Sequence, residues 1–118
     1  MNIQNYINTI AKCSKPADGV TRLPFTNEHK NANQLLKKWM VDAGLKVSLD
    51  AAGTLIGKYI SPNKNSKTLL IGSHQDSGYN SGKYDGIMGI ILPIIALKEI
   101  NRKKINLPFN VEILVVLY

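Results

Sequence analysis

Apolar residues Ile3, Tyr6, Ile7 and Ile10 recur at helical spacing, so residues 2–12 predict a short amphipathic helix that Pro16 and Gly19 bring to an end. Residues 13–24 read as loop. Ala32, Leu35, Leu36, Trp39, Met40 and Ala43 then follow at three- and four-residue spacings, which predicts a second helix. Thr26 is placed to cap its first turn, Glu28 adds a negative charge where unpaired N–H groups carry partial positive charge, and Gly44 stops it.

After Gly44 the period changes. Residues 46–50 and 54–60 are short extended runs joined by Ala51-Ala52-Gly53, which suits a hairpin with a glycine turn. Residues 61–67 form a polar loop. Residues 68–71 are a short apolar strand that runs into Gly72-Ser73-His74-Gln75-Asp76 and a glycine-rich loop ending near Asp85. Residues 86–102 are too long and too evenly apolar for a strand and predict a buried helix, bent where the Pro93 ring opposes the carbonyl of Gly89. Residues 109–118 predict a final strand. Strand, long helix and strand in that order predict a βαβ crossover with a right-handed connection, and a parallel sheet covered by helices on both faces. The expected class is α/β, undivided by repeat, low-complexity tract or linker.

Composition changes this picture little. A chain of 118 residues with 44% hydrophobic content suffices for one modest core. The net charge of +7 would suit a nucleic-acid binder, yet the lysines are spread along the chain and only Arg102-Lys103-Lys104 form a run. That run has a structural explanation as a helix end, where cations complement the carbonyl dipoles, so nucleic acid is not the expected partner. Cys13 is the sole cysteine, which excludes an internal disulfide and a thiolate metal cluster and fits a reducing compartment. The first ten residues lack the basic start and apolar stretch of a signal peptide. The most apolar run, residues 87–97, is shorter than the roughly 20 residues a bilayer crossing needs. A cytoplasmic location without membrane association is expected.

Chemistry is expected where the third strand ends, because open α/β sheets collect ligands beyond the carboxyl ends of their strands. Residues i and i+2 of an extended backbone point to one side, so Asp76 can reach one imidazole nitrogen of His74 while the other faces a metal. Asp85 stands at the start of the long helix, and Gly78, Gly82 and Gly86 let the loop fold back towards His74. One imidazole and one carboxylate are two ligands, and a catalytic zinc keeps three protein ligands plus water. His29 reads as a solvent-exposed histidine at a helix start, and Glu112 lies within a strand rather than at its tip. Taken alone, a His-x-Asp pair in a loop is more often only a hydrogen-bonded turn.

Several blocks carry a family resemblance. Gly19-Val20-Thr21-Arg22, the helix around Lys38-Trp39-Met40 ending in Ala43-Gly44-Leu45, and Asp50-Ala51-Ala52-Gly53-Thr54-Leu55-Ile56-Gly57 resemble the N-terminal blocks of the N-carbamoyl-L-amino-acid hydrolase and allantoate amidohydrolase group. The most specific are Gly72-Ser73-His74-Gln75-Asp76-Ser77 and Gly82-Lys83-Tyr84-Asp85-Gly86-Ile87-Met88-Gly89. The group is a branch of the metal-dependent aminoacylases and dipeptidases. The sequence departs from the family's usual pattern at Gly78, where valine is common, and at Ser81, where a second glycine precedes Gly82.

The resemblance implies a partial three-layer αβα, zinc-peptidase-like catalytic domain with a mostly parallel sheet, of which residues 1–118 are the N-terminal, metal-binding part. It implies that His74 binds one metal, that Asp85 bridges two, and that Asp76 serves the catalytic site by orienting His74. The cofactors would be two divalent ions, zinc, manganese, cobalt or nickel. The reaction would be hydrolysis of a carbamoyl or ureido C–N bond of a small molecule by metal-activated water. In the family a paired-glutamate motif supplying the general base, two later histidines and a lid and dimerisation domain follow. None lies within these 118 residues, so the chain alone is expected to be inactive and to leave its final strand as an exposed apolar edge, whereas a full-length member would be a homodimer. Cleavage of other amides, as in the aminoacylase and dipeptidase branch, or a non-catalytic role as a basic interaction module, are the alternative expectations.

Overall fold

A computed structural model of the chain describes residues 2–117. Helix α1 spans Ile3–Ala11, and the Asn2 side chain accepts from the N–H of Asn5 at 2.9 Å to cap it. Helix α2 spans Asn27–Asp42 and begins as its sequence predicts, with the Thr26 hydroxyl accepting from the N–H of His29. Gly44 follows with φ +84°, the left-handed conformation that closes a helix, and Asn101 donates from its side chain to the Ala43 carbonyl at 2.6 Å.

Strands β1 (Lys46–Leu49) and β2 (Leu55–Tyr59) form the expected hairpin. Asp50 fixes its turn by accepting from the N–H groups of Ala52 and Thr54, and Gly53 adopts φ +90°. Strand β3 spans Thr68–His74, three residues beyond the expected apolar run. Helix α3 spans Met88–Arg102 with Pro93 inside it, and β4 spans Asn110–Val116. Tyr118, the last residue of the expected strand, lies outside the described residues.

The sheet order is β1-β2-β4-β3. β3 and β4 pair in parallel across α3, as a βαβ unit requires, while β1–β2 and β2–β4 are antiparallel. The α/β class is as read from the sequence, but a mixed sheet replaces the mostly parallel one: a hairpin precedes the crossover, and its second strand joins the edge of β4. β4 is therefore an inner strand with a neighbour on each side, not the exposed edge expected of it; β1 and β3 are the edges.

The helices lie on one face of this sheet rather than on both. Leu55 and Tyr59 of β2 and Val111, Ile113 and Val115 of β4 are buried, and by register all five share that face. They pack with Ile7, Ile10, Leu36, Trp39, Met40, Ile90, Ile91 and Ile94 from the three helices in a single core. Tyr6 and Trp39 meet edge to face with ring centroids 4.9 Å apart. Met40 packs closely over Gly57, where a Cβ would lie 2.8 Å from its sulfur and would push the methionine aside. The opposite face carries Leu70, 60% exposed, and on the same side Leu114 and Ile56, so the described residues supply the sheet and one helix layer of the partial domain.

Candidate functional site

The third strand delivers His74 to the sheet's rim, as its last residue, paired with Val116. Alternation turns Ser73 to α3, where a Cβ at Gly89 would lie 2.8 Å from the Ser73 Cβ and the Ser73 hydroxyl donates to the Gly86 carbonyl at 2.7 Å. These contacts draw the start of α3 onto the strand end. Gly86 then has φ +75°, and any Cβ there would overlap the His74 ring. Glycine is thus the residue that lets Asp85 approach His74.

His74 Nδ1 lies 2.8 Å from the main-chain carbonyl oxygen of Asp76. A carbonyl can only accept, so Nδ1 is a protonated nitrogen, and in the neutral ring Nε2 then carries the lone pair. Nε2 faces the Asp85 carboxylate, with Nε2 to Oδ2 at 3.9 Å, and the Asp76 carboxylate lies 4.0 Å from Nδ1. The convergence of His74 and Asp85 expected from the sequence is present. The Asp76 carboxylate, from which the orientation of His74 is expected, stands farther from Nδ1 than the same residue's carbonyl oxygen. His74 is largely covered, whereas the Asp85 side chain is 72% exposed, so one partner is fixed and the other stands in solvent. Among the described residues no group of three His, Cys, Asp or Glu side chains converges to hold a metal ion.

Behind the rim lies a buried polar knot whose positions in the chain read as loop. Val20 and Ser81 exchange two main-chain hydrogen bonds of 2.8 Å, Arg22 and Ser77 are joined by their main chains and the Ser77 hydroxyl, and the Asn80 side chain accepts from the N–H of Gly19. A Cβ at Gly19 would overlap the Ser81 carbonyl, and one at Gly78 would meet only the Ser81 hydroxyl, at 3.6 Å. Gly19 is therefore required, while Gly78 leaves room for a larger residue. The two blocks 19–22 and 72–77 are one unit in space.

Arg22 is buried at 3% exposure: its Nε donates to the carbonyl and the side-chain oxygen of Gln75, and its Nη1 donates to the carbonyls of Ile10 and Cys13. Burial lowers its pKa from the ordinary value, against the attraction of Cys13 and Asp76. Gln75, 1% exposed, donates in turn to the His29 carbonyl and the Asn33 side chain, both at 3.0 Å. His29 is buried, contrary to the exposed position expected of it: its Nδ1 accepts from the N–H of Phe25. Its spacing from Ala32 and Leu36 on the buried face of α2 was the available signal. Burial lowers the His29 pKa, Arg22 acts in the same direction, and Asp76 opposes them.

The basic run has the structural role read from the sequence. Arg102 forms a fork with Glu99, Nη2 to Oε1 at 2.6 Å and Nε to Oε2 at 2.9 Å, and Lys103 reaches the same carboxylate at 3.7 Å. These contacts hold the Glu99 pKa down at about 2, chiefly through the Arg102 hydrogen bond. Among the described residues no helix is long and apolar enough to cross a membrane.

An imidazole and a carboxylate thus face each other at a strand tip of an α/β segment. No family model matches the chain. It is 38% identical over 99 residues to the N-carbamoyl-L-amino acid amidohydrolase of Geobacillus stearothermophilus, covering 84% of this chain and 24% of that protein. It is 35% identical over 100 residues to the allantoate amidohydrolase of Bacillus subtilis, with the same coverage of both. Its fold matches the crystal structure of a hydantoinase/carbamoylase family amidase from Burkholderia ambifaria with a TM-score of 0.89 at 27% identity, over 95% of this chain and 28% of that one. The chain is a homologue of these amidohydrolases and spans about a quarter of the length of the relatives it matches.

Proposed function

We propose that this chain is the N-terminal part of the catalytic domain of a metal-dependent amidohydrolase that cleaves the carbamoyl or ureido C–N bond of a small molecule, such as an N-carbamoyl-L-amino acid or allantoate. One observation carries the reading: His74 Nε2 and Asp85 Oδ2 stand 3.9 Å apart. That is too far for a hydrogen bond, and it suits two ligands that each lie about 2.1 Å from a shared cation. An imidazole and a carboxylate are a donor set for zinc, manganese, cobalt or nickel. The carbamoylase and allantoate names of the homologues favour a ureido substrate over the amides of aminoacylases and dipeptidases.

In this reading the chain's own residues bind and orient. The Asp76 carbonyl holds the Nδ1 proton of His74 and so keeps the Nε2 lone pair on the metal side. Gly86 admits the carboxylate of Asp85 to the shared position. Divalent ions held there would supply Lewis acidity to the scissile carbonyl and lower the pKa of water. The 118 residues contribute two ligands, fewer than a catalytic zinc keeps, so they bind metal without turning over substrate.

Calorimetric titration of the chain with Zn²⁺ tests this. Binding that His74→Ala and Asp85→Asn each abolish is the expected result; binding untouched by both substitutions would sink the site. Release of ammonia or amino acid from an N-carbamoyl-amino acid by this chain would overturn its inactivity.

A further inference from the structure

The knot behind the rim gives one residue a hold on both sides of Asp76. Arg22 grips Gln75, the residue before, by its carbonyl and by its side-chain oxygen, at 2.9 and 2.8 Å. It grips Ser77, the residue after, by its main chain: the Arg22 N–H donates to the Ser77 hydroxyl and its carbonyl accepts from the Ser77 N–H at 2.7 Å. Between these holds lies the Asp76 carbonyl, which sets the protonated nitrogen of His74. The other end of the guanidinium is anchored outside the turn, on the carbonyls of Ile10 and Cys13. A turn pinned on one side to the Arg22 side chain and on the other to the Arg22 main chain cannot swing its middle carbonyl away from the imidazole without breaking hydrogen bonds in the knot.

We propose that Arg22 is a positioning residue for His74: it fixes the 74–77 turn so that the Asp76 carbonyl holds Nδ1–H and Nε2 points to Asp85. The planar fork is essential to this role, because its coplanar N–H groups join two segments at once: Gln75, by its carbonyl and its side-chain oxygen, and the end of α1, by the carbonyls of Ile10 and Cys13. A lysine retains the charge and most of the length but presents a single compact head. The consequence for metal binding rests on the site reading above; the consequence for the imidazole does not.

Nitrogen-15 spectra of the two imidazole rings, recorded on the metal-free chain at a pH where both are neutral, test it. In the unaltered chain His74 is expected in the Nδ1–H form and His29, whose Nδ1 accepts from Phe25, in the Nε2–H form. Arg22→Lys, Arg22→Gln and Arg22→Met are to be compared, keeping those with an unaltered circular dichroism spectrum. The expected result is a shift of His74 towards Nε2–H while His29 keeps its pattern, with Zn²⁺ affinity lowered about tenfold, as when the outer partner of a ligand is lost. An unchanged His74 in a folded variant overturns the proposal. Loss of folding in all three also overturns it, since Arg22 would then be a folding element only. A shifted His74 in a chain that binds no Zn²⁺ through it supports the positioning role and removes the metal reading instead.

Discussion

Two regions of this molecule are equally withdrawn from water and are built on opposite principles. The core under the sheet is apolar: Ile7, Ile10, Leu36, Met40, Ile90, Ile91 and Ile113 have essentially no exposed surface. The knot behind the rim is polar: Arg22, Gln75, Asp76 and His29 are each no more than 4% exposed. The first is non-directional and gains from every methylene removed from water. The second gains little net free energy per hydrogen bond but costs much if a single partner is missing. Bulk stability is expected from the first, and the geometry of the strand end from the second.

The largest effect should come from the core. Ile113 is fully buried in the central strand, so Ile113→Ala is expected to cost about 2–5 kcal/mol and Ile113→Val about 1 kcal/mol, read as shifts in urea unfolding midpoints. Equal losses from both would show that the site does not respond to cavity size, and the contrast would lose its first term. The knot should answer differently. Gln75→Leu keeps the volume and adds apolar surface, yet it leaves the His29 carbonyl and the Asn33 side chain without their donor; a loss of about 1–3 kcal/mol is expected. A stabilised Gln75→Leu would show that the knot is an apolar site in disguise.

Gly86 joins the two regions, since it begins the approach to α3 and lies under the His74 ring. Gly86→Ala meets both a left-handed φ and that ring, so we expect a cost of about 1–3 kcal/mol. It should also abolish any Zn²⁺ binding that depends on His74. Stability lost with metal binding intact would separate the glycine from the site.

The same contrast explains what the sequence disclosed. Apolar regions announce themselves by period: Ala32, Leu36, Trp39 and Met40 mark the buried face of α2, while Thr26 and Gly44 mark its ends. Turn chemistry is local too, so Asp50 to Gly53 foretells the hairpin. Strand order is not local. Nothing within residues 55–59 says that they pair with 111–115, and the mixed sheet follows from that pairing. β3 runs on to His74 because Gly72, Ser73 and His74 have β4 as a partner, whereas their own residue types give weak strand signals. The facing of His74 and Asp85 was legible because the two residues sit in one glycine-rich stretch. The positioning role of Arg22 was not, because its partners lie up to 55 residues away and a lone arginine in a loop carries no local signature.

The smallest effect expected is a pH dependence that belongs to the knot alone. Burial lowers the pKa of His29 in the folded chain below the value of about 6.5 that an unfolded histidine has. Between those two values the unfolded state binds more protons, so stability rises with pH in that interval. The contribution is complete above about pH 6.5 and is lost as pH falls towards the lower, folded value. His29→Gln removes the titrating group and can still accept from Phe25, so its stability curve should be flatter than that of the unaltered chain between about pH 7 and 5. The Ile113 variants, which leave the knot untouched, should keep the original slope while losing stability at every pH. If His29→Gln retains the full slope, the acid sensitivity arises elsewhere and the buried histidine is not part of the polar region's pH response.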